Sequence, residues 1–196
     1  SGPNAFGFPE QKRASQVPVP PAMRADFDAM IRLTELRDTP PVLEFFDDLH
    51  GVGGLFVGDQ WAILVGLKDQ GHIAADVITR WPSELATIYA RANGHRHRTA
   101  RELFDFTLEA AIHRCMGHEI GHALLASGRV NPFAPDQEAG ADYFAGKLDA
   151  ARGRNRDLGA MFFFSIGCVG PSCSHPDPET RAAAYATGYD EQMSAR

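Results

Sequence analysis

His118-Glu119-Ile120-Gly121-His122 constrains this chain more than any other stretch, because its chemistry works only on a helix. Residues four apart share a helical face, so the two imidazoles can converge on one ion while Glu119 lies beside it. That supplies two metal ligands and a general base of the kind zinc hydrolases use. The flanking residues spell out the helix. Thr99-x-x-Glu102 reads as a capping box, and Leu103, Phe106, Leu108, Ala111, Ile112, Cys115, Ile120 and Leu124 recur at helical spacing. Ser127-Gly128 then stops it.

A second helix is expected beyond that stop, with Asp136 as N-cap and Gly153 as its end. It places Glu138 and Asp142 on one face. A catalytic zinc takes three protein ligands and keeps one position open, and Glu138 is the preferred third ligand. Asp136 and Asp142 are the alternatives. Each of these has another natural role, since Asp136 caps the helix and Asp142 can accept the free N–H of a ligand imidazole and set its tautomer. The metzincin plan is excluded, since it asks for Gly and His where this chain has Leu125 and Gly128.

Further along, His175-Pro176 precedes Asp177-Pro178-Glu179, an N-cap, a first-turn proline and a favourable acid that open a helix to about Tyr189. The ordered set of His118-Glu119-x-x-His122, Glu138-x-x-Ala141-Asp142 and His175-Pro176-x-x-x-x-Arg181 resembles the gluzincins of the M48 family, the Ste24- and HtpX-like peptidases. The resemblance spans about residues 100 to 185. It implies an α+β, zincin-like single domain, its zinc helix beside a small, mostly antiparallel sheet, with further helices after it. It also implies one zinc per chain on His118, His122 and Glu138, catalysis by Glu119, support from Asp142 and a transition-state contact from His175. Arg181 matches the family's arginine near the site, where it would orient His175 or bind the substrate backbone. Tyr143 and Tyr185 are reserve oxyanion contacts, with packing the plainer reading.

The chain departs from those relatives in one respect: they usually carry transmembrane helices, and no apolar run here approaches the roughly 20 residues needed to cross a bilayer. A soluble variant is expected, cytoplasmic or secreted. Asn4-Ala5-Phe6, similar to a segment that membrane members place nearer the zinc helix, is read as coincidence. Glu138-x-x-Ala141-Asp142-x-Phe144-Ala145 also resembles the ImmA/IrrE regulatory peptidases, which would cleave one repressor-like partner. Zinc-dependent hydrolysis of a protein or peptide substrate is the expected function. A toxin-type effector protease and a non-enzymatic zinc-stabilised interaction module are the other classes.

With 196 residues, 44% of them hydrophobic, the chain can bury one sizeable core without disulfide staples. Its net charge of −6 argues against a nucleic-acid partner, and the basic run from Arg91 to Arg101 reads as a solvated loop. Cys168 and Cys173 are close enough to bridge, though two free thiols fit equally, while Cys115 reads as a small core residue. The start at Ser1 is compatible with a leader or parent protein having been removed. Residues 1–20 read as an extended or disordered arm, and 21–196 as the peptidase domain.

Before the zinc helix, a helix is expected over about 22–37, a short one over 42–49, and strands over 55–57, 61–67 and part of 86–92. Residues 73–80 fit either type. Asp69-Gln70-Gly71 reads as a turn, as does Gly51-x-Gly53-Gly54, which lacks the lysine of a phosphate loop. Residues 158–166, with three consecutive phenylalanines, read as core.

Overall fold

The computed structural model describes residues 15–170, 173 and 175–196. Among these, seven α-helices, one 3-10 helix and a four-stranded mixed sheet make an α+β fold in which helices dominate. The first fourteen residues of the expected arm, Asn4-Ala5-Phe6 included, lie outside the described residues. The rest of the arm is not loose: Gln16–Val17 (β1) adds antiparallel to the sheet, facing Phe46 and Phe45.

Helix α1, Pro21–Arg32, starts on a proline suited to the first turn and buries Phe27, Met30 and Ile31. It stops short of the expected residue 37 because the Thr34 hydroxyl accepts the Leu36 backbone N–H, turning the chain into a 3-10 segment, Glu35–Asp38. The expected short helix after it is corrected to a strand, β2, Val42–Phe46. Pro40-Pro41 favours extended backbone, and Leu43 and Phe45 alternate into the core.

Strands β3, Val52–Val57, and β4, Gln60–Gly66, form a hairpin whose turn uses a positive φ of 61° at Gly58. The order is β1-β2-β4-β3. The chain leaves β2, runs out to β3 and returns through β4 between them, so β4 pairs parallel with β2 and antiparallel with β3. The expected mostly antiparallel sheet therefore has a parallel pair at its centre, and β3 is an edge strand.

Asp69-Gln70-Gly71 is corrected from turn to helix start: α2 spans Gln70–Arg80. The expected strand within 86–92 is corrected to helix α3, Pro82–Asn93. Leu85, Ile88 and Tyr89 follow the helical period and are buried together, while Pro82 occupies the first turn and Gly94, at φ 73°, ends it.

Helix α4, Ala100–Ala126, opens with the expected reciprocal Thr99–Glu102 box and is buried on all sides from Ala110 to Gly121. Helix α5, Gln137–Ala151, begins with Asp136 accepting the Ala139 N–H at 3.0 Å. The two cross closely at Gly121, where a Cβ would meet the Ala141 carbonyl oxygen at 2.5 Å. A side chain there would push Glu138 away from the histidines. Helices α6, Arg156–Ser165, and α7, Pro178–Ser194, follow, with α7 running five residues beyond the expected Tyr189. Phe162 and Phe163 are core, whereas Phe164 is half-buried edge-on to Trp81. Cys168 and Cys173 are joined as a disulfide, and Cys115 is free and buried.

One buried carboxylate ties three parts of this fold together. Asp26 on α1, 4% exposed, accepts from His113 of α4 at 2.7 Å and from Arg152, after α5, at 3.2 Å, and pairs with Arg154. Burial alone would raise its pKa, but the bonds to His113 and Arg154 overcome this and hold it well below the ordinary 3.8. Asp26→Asn should therefore cost about 3–5 kcal/mol at neutral pH by leaving buried cations unpaired. Because the folded-state value is depressed, the stabilisation is complete above pH 3.8 and is lost as pH falls below it. Denaturant titrations of both proteins across that range check this; a gap that stays constant as the pH drops would contradict it.

Candidate metal centre

Helices α4 and α5 bring His118, His122 and Glu138 together, with one ligand atom of each lying within 4.8 Å of the others. The two Nε2 atoms are 3.0 Å apart, Glu138 Oε2 is 3.3 Å from His118 Nε2, and Oε1 is 3.2 Å from His122 Nε2. Ligands about 2.0–2.1 Å from a tetrahedral zinc would stand roughly 3.3 Å from each other. Two imidazoles and one carboxylate at this spacing fit a zinc ion with one position left for water.

Behind the cluster, Asp142 is fully buried and engaged on both oxygens. Its Oδ1 lies 2.7 Å from His118 Nδ1, which leaves Nε2 of that ring to face the cluster. Arg181 donates to the same carboxylate from Nε at 2.7 Å and from Nη2 at 2.8 Å. Asp142 is thus spent on orientation and Asp136 on capping, which leaves Glu138 as the carboxylate in reach of both histidines.

Electrostatics favour added positive charge here. Burial would lower the His118 pKa, but hydrogen bonds with Asp142 and Glu138 outweigh it and push it up to about 9. Burial would raise Glu138, yet its bonds to His118 and His122 hold it far below the carboxylate range. The carboxylates around these rings would compensate a divalent cation, which has to displace the proton from His118 to bind. Glu119 differs: burial lifts its pKa, only partly opposed by His118 and His122, and its Oε1 lies 3.9 Å from His118 Nε2.

These groups line a cleft of about 760 Å³. His175 reaches it from the segment before α7, about half exposed, with Nδ1 3.3 Å from Glu138 Oε2. Arg181 lines the cleft as well, although only 3% exposed; its guanidinium is held by Asp142 and lies 3.6 Å from Glu138, so it braces the ligand side chains. The tyrosines follow the plainer packing reading. Tyr185 is fully buried and donates to Asp149 at 2.6 Å, Tyr143 donates to Glu191 at 2.5 Å, and neither lines the cleft. Cys115 does line it, but its thiol donates to Gln70 at 3.3 Å and burial lifts its pKa to about 12, so it stays a thiol.

Sequence reasoning expected a sheet beside the zinc helix but not which residues would line the cleft opposite the cluster. Val52, Gly53 and Gly54 of β3, with Ile73, Phe162 and Ile166, face the cluster. No local pattern distinguishes these from other core or strand residues. Among the described residues no helix is long and apolar enough to cross a membrane. No family model, curated protein or solved structure matches this chain.

Proposed function

We propose that this protein is a zinc-dependent metalloendopeptidase, with zinc held by His118, His122 and Glu138. The observation that carries the reading is that a three-ligand cluster and a buried carboxylate, Glu119, open onto the same large cleft beside an edge strand. A structural zinc would be enclosed by a fourth protein ligand, and among the described residues the cluster has three, which favours an enzyme over a zinc-stabilised module.

When bound, zinc acidifies water and polarises a carbonyl. The chain's own residues do the remaining work. An extended peptide adds to the free edge of β3 by main-chain hydrogen bonds, which places a peptide bond against Glu119. Glu119, whose burial raises its affinity for a proton, takes the water proton as a carboxylate and returns it to the leaving amine. His175, half exposed at the cleft rim, donates to the developing oxyanion. Asp142 and Arg181 keep the His118 ring from turning. The ordering of these residues supports an M48-like gluzincin rather than an ImmA/IrrE-type protease, because His175 and Arg181 both have places around Glu138.

The test is cleavage of a peptide library by the full chain: activity with zinc, loss on chelation and recovery on adding zinc back support the proposal. No cleavage by fully zinc-loaded protein would sink it. Glu138→Ala should lose most zinc affinity in a competition titration with a chelating dye, and an unchanged affinity would remove Glu138 from the ligand set. His175→Ala should lower turnover roughly 100- to 1,000-fold with zinc affinity little changed. Lost zinc in place of lost turnover would make His175 a support for Glu138 instead.

A further inference from the structure

The face of α4 turned away from the metal cleft borders a second cavity, of about 730 Å³. At about 100° per residue, Phe106, Glu109, Ala110, His113 and Arg114 project opposite the side that carries His118, Glu119 and His122. The wall of this cavity is divided. Ile88, Phe106, Ala110 and Leu158 make an apolar side, while Arg91, Arg114, Arg152, Arg154 and Arg156 line the remainder. Against these five arginines stands one lining carboxylate, Glu109, in a chain whose net charge is −6. So strong a local excess against the overall sign needs an explanation.

Ion pairing accounts for only part of it. Arg156 is spent on Asp190, at 2.7 and 2.8 Å. Arg114, Arg152 and Arg154 share two carboxylates behind the wall, Asp26 and Asp149. Arg152 uses only its Nε, so its terminal amino groups have no acceptor among the described residues. Arg154 is spent as well: its Nη2 pairs with Asp26 and lies 3.3 Å from His113 Nδ1, and its Nε is buried 3.9 Å from Asp149. Arg91 has no ion pair or hydrogen bond among the described residues and lines the cavity from α3. Guanidinium forks left open beside an apolar wall suit a ligand that is itself divided: the forks match carboxylate or phosphate oxygens, and the wall takes an apolar body.

We infer that this cavity binds a small organic anion, its aromatic or aliphatic body against Ile88, Phe106 and Leu158 and its oxyanion head on Arg91 and Arg152. The site lies on the other face of α4 from the peptidase cleft and does not depend on that activity.

The experiment uses the full chain and four probes: 2-naphthoate, 2-naphthyl phosphate, the neutral 2-naphthamide and inorganic phosphate. Isothermal titration should show at least one naphthyl anion binding with Kd below about 1 mM, and both amide and inorganic phosphate at least about tenfold weaker. The double variant Arg91→Ser/Arg152→Ser removes two exposed guanidiniums, and should keep the circular dichroism spectrum while weakening naphthyl anion binding at least about tenfold. No binding by either naphthyl anion, equal binding by amide or phosphate, or an unaffected double variant would each overturn the inference, leaving the arginines as structural ion pairs. A misfolded double variant is replaced by Arg91→Ser alone, whose side chain has no protein partner to lose, under the same criterion.

Discussion

Glu119→Gln is expected to fold, bind zinc as the wild type does, and lose turnover by about 100- to 10,000-fold. Gln keeps the shape of the side chain in a position only 3% exposed, so the packing around α4 is retained. What it loses is the carboxylate oxygen basic enough to take a proton from water. None of the close contacts within the ligand cluster passes through Glu119, whose nearest approach to a ligand nitrogen is 3.9 Å. Zinc affinity should therefore be unchanged in a chelator competition, and the defect should sit in kcat rather than in stability. Turnover within a few-fold of wild type would reject Glu119 as the base, and a fall in zinc content would reject the assignment of its place outside the ligand set.

The second large effect is expected at Arg181. Replacing it by Met leaves Asp142, which is fully buried, without the guanidinium that engages both of its oxygens. Breaking a buried pair from one side costs about 3–5 kcal/mol, because the remaining charge is stranded. His118 loses its firm support at the same time, so zinc affinity should weaken about 10- to 100-fold, as is usual when a ligand's outer partner is disturbed. Denaturant unfolding and zinc competition measure the two effects separately. Arg181→Lys should recover part of the stability but not the two-pronged grip, since an ammonium is a point charge. A Met variant as stable as wild type would show that the Arg181–Asp142 pair does not carry this stability.

How much of this was readable beforehand differs by element. Capping and spacing made α4 and the start of α5 legible, because Thr99, Glu102, Asp136 and the four-residue His118–His122 interval act within a turn or two of backbone. The same local rules failed for 42–49 and 86–92. Val42 to Phe46 is a strand because β4, well outside any local window, offers it partners from Ala62 to Gly66. Ala86 to Ala92 is helical because Leu85, Ile88 and Tyr89 are buried together on one face. Strand pairing at that distance leaves no mark within a short window, whereas the i, i+3, i+4 spacing of Leu85, Ile88 and Tyr89 after Pro82 is a local helical signal that the strand reading passed over.

The site divides in the same way. Residue type and interval within the chain were enough to name His118, His122, Glu138, Glu119 and Asp142, since helical periodicity alone puts each set on a shared face. Only the tertiary structure could show Arg181 bracing Asp142 and name the β3 residues that line the cleft. It also collected arginines from α3, α4 and the α5–α6 connection around a single cavity. Local geometry is dictated by neighbouring residues, whereas these placements follow from how whole helices cross, and a crossing such as Gly121 against Ala141 is decided by shape on both partners at once.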